Sequence, residues 1–319
     1  MSSSEARTRP EREAMERSPE EQREHERRMV AEHYQHDVDI FSMVLDSRLA
    51  YATGVFHRPD EDLETAQSRK FARIQAKLAI GPGERVLDVG CGWGSNLLYL
   101  AEHTGGHFHG ITLSERQRDE ALRRARAAGV LDRVHIEVRH VEDLALEPAS
   151  YDVILFSGSI VHMHNREAVH QMVGRLLRAG GRLLISDCYY PAESRGDRES
   201  AATHYIFVEA LGYCRLLHLG EELSLIERAG LDILHVEDLT SSYVLTLERW
   251  IDNVRKNRRR IEELSPGFSR VLQQYMTVAK LSFARRTALE YMILATKGRP
   301  AVDVAAFPIL PPGYEEGSR

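Results

Sequence analysis

The chain has 319 residues, room for one large core with accessory segments, and its 43% hydrophobic and 28% charged content is that of a globular protein in water. A net charge of −6 supplies no global attraction for nucleic acid or an anionic bilayer. Three widely spaced cysteines (Cys91, Cys188, Cys214) make neither a disulfide framework nor a metal knuckle, and no apolar run reaches the ~18 residues of a membrane span. The expectation is a cytoplasmic protein with a small-molecule substrate, no nucleic-acid partner and no integral membrane association.

Taken in chain order, residues 1–28 mix Glu and Arg with almost no large apolar side chains and read as a disordered or frayed helical arm, with an oligomer-forming role left open. Residues 29–80 read as a helical N-terminal lid, with helical spacing over 37–45 and 63–78 and an irregular apolar connector at 51–56. From 81 to 190 strand and helix patterns alternate. Strands are predicted at 85–89, 107–112, 134–138, 152–157 and 181–187, and helices at 95–103, 114–128 and 166–178. Gly129 and Gly180-Gly181 sit where helix C-caps are expected.

The alternation breaks at Pro191. Residues 191–220 read as a helical insertion carrying Phe207, Glu209, Leu211 and Tyr213, whose aromatics suit an apolar or aromatic substrate. The core resumes over 221–245 with a helix at 221–229 and a strand at 231–239. A second helical insertion fills 246–287, the last strand falls at 289–295 within 288–299, and 300–319 is a proline-containing tail. Strands separated by helices predict a Rossmann-like α/β fold with a seven-stranded, mostly parallel sheet. The N-terminal helices and both insertions are placed to cover its carboxyl edge, where open α/β sheets bind ligands.

The segment Arg85-Val86-Leu87-Asp88-Val89-Gly90-Cys91-Gly92-Trp93-Gly94 joins the first strand to its helix. Its glycines let backbone N–H groups approach a ligand at a helix N-terminus. A dinucleotide fingerprint wants its third glycine at 95, where Ser95 stands, and an acid near the end of the second strand, where Thr112 stands. Both departures argue against a nicotinamide cofactor. An Asp two residues before the first glycine resembles instead the S-adenosylmethionine (SAM) loop of class I methyltransferases. Thr112 and Gln117 are placed to reach a ribose. Val141 and Glu142 follow the third strand, where an adenine would lie, and Ser157 closes the fourth.

From about residue 33 to 297 the chain resembles the cyclopropane fatty acid and mycolic acid cyclopropane synthases. The resemblance rests on His33-Tyr34, Leu45-Asp46, Tyr51, Leu63-Glu64-Thr65-Ala66-Gln67, Val86 to Gly94, Thr112-Leu113-Ser114-Glu115-Arg116-Gln117, Tyr243 and Leu247-Glu248-Arg249-Trp250. It implies SAM as cofactor, contacted by Asp88, Gly90, Gly92 and Gly94 of the loop and by Tyr51, Thr112, Leu113, Gln117 and Glu142. The family's bicarbonate site uses a Cys, a Glu, a His and a Tyr. Here those positions hold Thr53, Val161, Ser186 and Tyr243. Three of four ligands have changed, so fold and cofactor are expected to carry over while ring closure is not.

What remains is methyl transfer to a small, apolar or aromatic acceptor of specialised metabolism, at carbon, nitrogen or oxygen. The alternatives are an unsaturated acyl lipid or prenyl diphosphate methylated without ring closure, and a SAM-binding scaffold or cyclase without methyl transfer. If the nucleophile carries a proton, a base must take it. His162 is the first candidate, with Glu167 nearby and Tyr243 as an orienting group. The pair His162-x-His164 with Glu167 has ligand types but sits on an irregular loop, and no metal is expected.

Overall fold

In the computed structural model, residues 17–33, 38–191 and 214–298 are described. The first three helices are α1 (Pro19–His33), α2 (Val38–Val44) and α3 (Leu63–Leu78). Strands β1 (Arg85–Val89), β2 (His107–Thr112), β3 (Val134–Val138) and β4 (Tyr151–Ser157) alternate with α4 (Ser95–His103), α5 (Glu115–Ala127) and α6 (Arg166–Leu176). After β5 (Leu177–Tyr189) come α7 (Leu219–Arg228), β6 (Asp232–Asp238), α8 (Thr240–Leu264), α9 (Phe268–Ala284) and β7 (Leu289–Thr296).

The seven strands form one sheet in the order β3-β2-β1-β4-β5-β7-β6, parallel except for β7, which runs antiparallel to both neighbours. The central strands β1, β4 and β5 are buried along most of their length because helices cover both faces. Strand order reverses between β1 and β4, which opens a crevice at their carboxyl ends. The predicted α/β class and mostly parallel seven-stranded sheet are observed.

Several boundaries move. Residues 19–28, within the stretch read as a disordered or frayed helical arm, belong to a regular helix, and α1 is seated on the loop after β3 through Glu26 and His140. Helix α6 stops at Leu176 and β5 runs from Leu177, so Gly180 is no C-cap. Its N–H reaches Lys297 O at 2.8 Å, pairing with the end of β7. The helix predicted from 246 begins at Thr240, whose N–H is held by Asp238 Oδ1 at 2.8 Å. Tyr243 is therefore helical. The same region splits at Ser265-Pro266-Gly267, where Gly267 (φ 83°) caps α9. The apolar segment at 205–217 lies mostly outside the described residues, as do Glu209, residues 1–16 and the tail.

Candidate active site

The turn after β1 is fixed from two sides. Gly90 N–H and Cys91 N–H both donate to Ile111 O at 2.9 Å, and Ser159 Oγ donates to Val89 O at 2.6 Å. Gly90, Gly92 and Gly94 all have positive φ (75°, 54° and 78°), the left-handed region glycine enters at no steric cost. At Gly90 a side chain has no room either: a Cβ would lie 2.5 Å from Ser159 Cβ. Gly94 sits behind the turn, capping α4.

Two compartments meet at this turn. The first is apolar, lined by Ile111, Leu113, Val141 and Met163, with Thr112, Gln117, His140 and His162 at its edges. Thr112 Oγ1 donates to Gln117 Oε1 at 2.7 Å, so the two residues expected at a ribose form one unit. Glu26 of α1 closes this compartment. Its carboxylate bonds His140 Nε2 at 2.9 Å, Gln22 at 2.9 Å and His164 N–H at 3.2 Å. Burial alone would push its pKa up; these bonds hold it below the usual carboxylate range. Glu142 borders the same loop, 3.8 Å from Arg23, and burial raises its carboxyl above the ordinary value.

The second compartment is polar. Tyr51, Lys70, Asp88, Asn96 and Ser157 line it together with the glycine turn. Lys70 Nζ, Asp88 Oδ2, Asn96 Oδ1 and Ser157 Oγ are buried here without a hydrogen-bond partner among the described residues. Burial lifts the Asp88 carboxyl to about 7 and lowers the Lys70 ammonium to about 8. Buried polar groups are nearly always bonded. An apolar slot joined to a chamber of unspent donors and acceptors fits a ligand with a flat aromatic end and a zwitterionic end, which is the shape of SAM.

Beyond the cofactor space lies an aromatic wall. Tyr51 packs on Trp250 (ring centroids 5.2 Å apart), Trp250 on Tyr243 (6.1 Å), and Tyr243 on Phe283 (4.6 Å). Val161, Cys188, Cys214 and Tyr275 belong to the same buried cluster. His162 follows Val161 with Nδ1 3.6 Å from Cys214 Sγ. Ser186 Oγ and Cys188 Sγ both reach the Glu290 carboxylate, at 3.1 and 3.2 Å, and burial pushes that carboxyl up to about 8. Thr53 is buried and spends its hydroxyl on Gly54 O at 3.3 Å.

The structure brings Gly90, Gly92, Thr112, Leu113, Gln117, Val141 and His162 to one compartment and Tyr51, Asp88 and Ser157 to the other. Glu167 is corrected. On the first turn of α6 its side chain is 65% exposed and faces Arg228 at 3.8 Å, on the outer surface. Glu167 also does not converge with His162 and His164. The metal-ligating types that do converge among the described residues are His109, His135 and Glu137, near the far end of the sheet, where Arg139 already pairs with Glu137.

Sequence reasoning missed Lys70, Asn96, Glu26 and Glu290. Lys70 and Glu290 carried a signal. Lys70 falls in the apolar stripe of its helix, with Ala66, Phe71, Ile74 and Leu78, and Glu290 interrupts a buried strand. A charge at a core position asks for a partner or a ligand.

Residues 21–291 match the family model described as mycolic acid cyclopropane synthetase. The chain is 30% identical over 288 residues to a probable fatty acid methyltransferase of Pseudomonas putida, covering 88% of this chain and 72% of that protein. It is also 30% identical over 219 residues to methyltransferase GfsG of Streptomyces halstedii, covering 67% and 76%. A solved structure of the mycolic acid cyclopropane synthase CmaA1, complexed with SAH and CTAB, matches with a TM-score of 0.79 at 24% identity, over 85% of this chain and 98% of that one. Among the described residues no helix is long and apolar enough to cross a membrane. The chain therefore belongs to the mycolic acid cyclopropane synthetase family and is a methyltransferase that uses S-adenosyl-L-methionine.

Proposed function

We propose that this enzyme methylates a small, apolar or aromatic acceptor at carbon, nitrogen or oxygen without closing a ring. The observation that carries the reading is the aromatic wall of Tyr51, Trp250 and Tyr243, with Val161 in the same cluster. Bound SAM supplies an electrophilic methyl group. The chain's task is to hold the acceptor against it and keep water out, and an apolar wall serves both. Thr53, Val161 and Ser186 offer no ligand set for a bicarbonate, so a proton released by the acceptor must go to the protein. His162 stands at the junction of cofactor compartment and aromatic cluster and is placed to take it. A second reading, methylation of an unsaturated acyl chain without ring closure, is favoured by the fatty acid methyltransferase relative.

Mass spectrometry with methyl-labelled SAM and a panel of phenols, amines, alkenes, prenyl diphosphates and unsaturated acyl lipids tests both. The expected result is a labelled, ring-free product from an aromatic or small apolar acceptor. Transfer confined to acyl chains would install the second reading, and a cyclopropane product would overturn both. In the same assay His162→Ala is expected to lower kcat about 100-fold or more, the usual contribution of a positioned base. Its Kd for S-adenosylhomocysteine should stay within about threefold, roughly 0.7 kcal/mol. An unchanged kcat would remove His162 from the chemistry and turn attention to Glu290.

A further inference from the structure

Lys70 is an ammonium with no exposed surface, set in the apolar stripe of α3. The nearest ring, Phe71, lies 4.5 Å from Nζ. Three carboxylates favour its charge through space, Asp46, Glu290 and Asp88, yet among the described residues none hydrogen-bonds to it. Asp46 spends its oxygens on Ala50 N–H at 2.7 Å and Arg48 N–H at 3.1 Å. Glu290 is taken by Ser186 and Cys188. Asp88 keeps Oδ2 unspent, on the same chamber wall as Lys70.

A buried, unbonded ammonium costs several kcal/mol on general grounds, and its three donors all want acceptors. The chamber it borders also holds unspent acceptors: Asp88 Oδ2, Asn96 Oδ1 and Ser157 Oγ. Lys70 is the one cationic side chain among the described residues lining it. A zwitterionic amino-acid end brings complementary groups, an ammonium for the acceptors and a carboxylate for the cation.

We propose that Lys70 pairs with the α-carboxylate of the cofactor's methionyl end, so that this site rejects the decarboxylated form of the cofactor. The assignment rests on the SAM dependence of the enzyme and not on the identity of its acceptor. It makes Lys70 a specificity-determining residue, reading a group remote from the methyl being transferred.

Isothermal titration with S-adenosylhomocysteine and its decarboxylated analogue, S-adenosyl-3-thiopropylamine, is the test. The wild-type enzyme should prefer the carboxylated ligand by about 10- to 100-fold, the worth of one charge-assisted hydrogen bond. Lys70→Met should bring that preference close to one while holding the decarboxylated ligand within about threefold of wild type. Its ligand-free Tm should equal or exceed the wild-type value, because an uncompensated buried charge has been removed. A wild-type enzyme without preference overturns the proposal, whether or not any variant folds. So does a Lys70→Met protein that keeps the preference, or one that loses both ligands equally with a lowered Tm, the mark of a structural lysine. Lys70→Arg, which keeps the charge, should retain a preference for the carboxylated ligand.

Discussion

Gly90→Ala is expected to weaken S-adenosylhomocysteine binding by about 100-fold or more, roughly 3 kcal/mol, with a smaller loss of stability. Two independent costs meet at this position. Its φ of 75° lies in the left-handed region, which charges a side chain about 1–2 kcal/mol. The new Cβ would also stand 2.5 Å from Ser159 Cβ, a separation that real Cβ atoms essentially never show. Ser159 cannot simply step back, because its hydroxyl anchors the β4 loop to Val89 O at 2.6 Å. Relief must come from the turn, whose N–H groups are tied to Ile111 O and whose position sets where both cofactor compartments meet. Gly129→Ala is the control. Gly129 has the same backbone sign (φ 71°) with nothing within 4 Å of a Cβ, so it should cost about 1 kcal/mol of stability and leave cofactor affinity unchanged. Titration and thermal denaturation of the two variants separate conformational strain from steric displacement. Equal cofactor affinity in both would sink the argument from Ser159.

The parts that were legible share a physical cause. Strands β1 and β4 announce themselves because each is a short, largely apolar run that ends at a glycine, and a parallel sheet covered on both faces allows little else. The glycine turn was legible because positive φ at three alternate residues admits almost no other residue type. The misplaced features are those decided by distant partners. Residues 19–28 have no apolar periodicity, and what orders them is Glu26 meeting His140, 114 positions away. Helix α8 starts early where Asp238 accepts the N–H of its first residue, Thr240, although 240–245 favours strand by composition. Glu167 has the chemistry of an active-site acid and the right sequence neighbourhood, but helical geometry turns it outward. Lys70 and Glu290 show the converse. Their burial was written in the periodicity of α3 and β7, yet a charged residue in an apolar pattern is easily read past.

The largest stability loss is expected at Glu222. This fully buried carboxylate bonds Arg166 Nη1 at 2.8 Å and His170 Nε2 at 2.9 Å. Removing one partner of a buried ionic group strands the others, at a cost of about 3–5 kcal/mol, so Glu222→Ala should unfold at much lower denaturant. The consequence reaches the site. Arg166 also donates to Met163 O at 3.2 Å and Arg215 O at 2.8 Å. Arg215 in turn donates to Val161 O from its backbone and to His164 O from its guanidinium, at 2.7 and 2.6 Å. Residues 161–164 thus hang on a frame whose central charge is Glu222, and kcat should fall in any variant that still folds. Acid should act on the same frame. Burial opposes ionisation of Glu222, but Arg166 and His170 prevail and hold its pKa below the ordinary value. A depressed carboxylate contributes stability that is complete above the unfolded pKa, about 4.3 for Glu, and is lost as pH falls through the folded value. The stability curve of the wild type should therefore bend down below about pH 4.3. Glu222→Gln, similar in size but unable to ionise, should be less stable at neutral pH and lose less of its remaining stability on acidification. Parallel acid limbs for the two proteins would show that the acid sensitivity resides elsewhere.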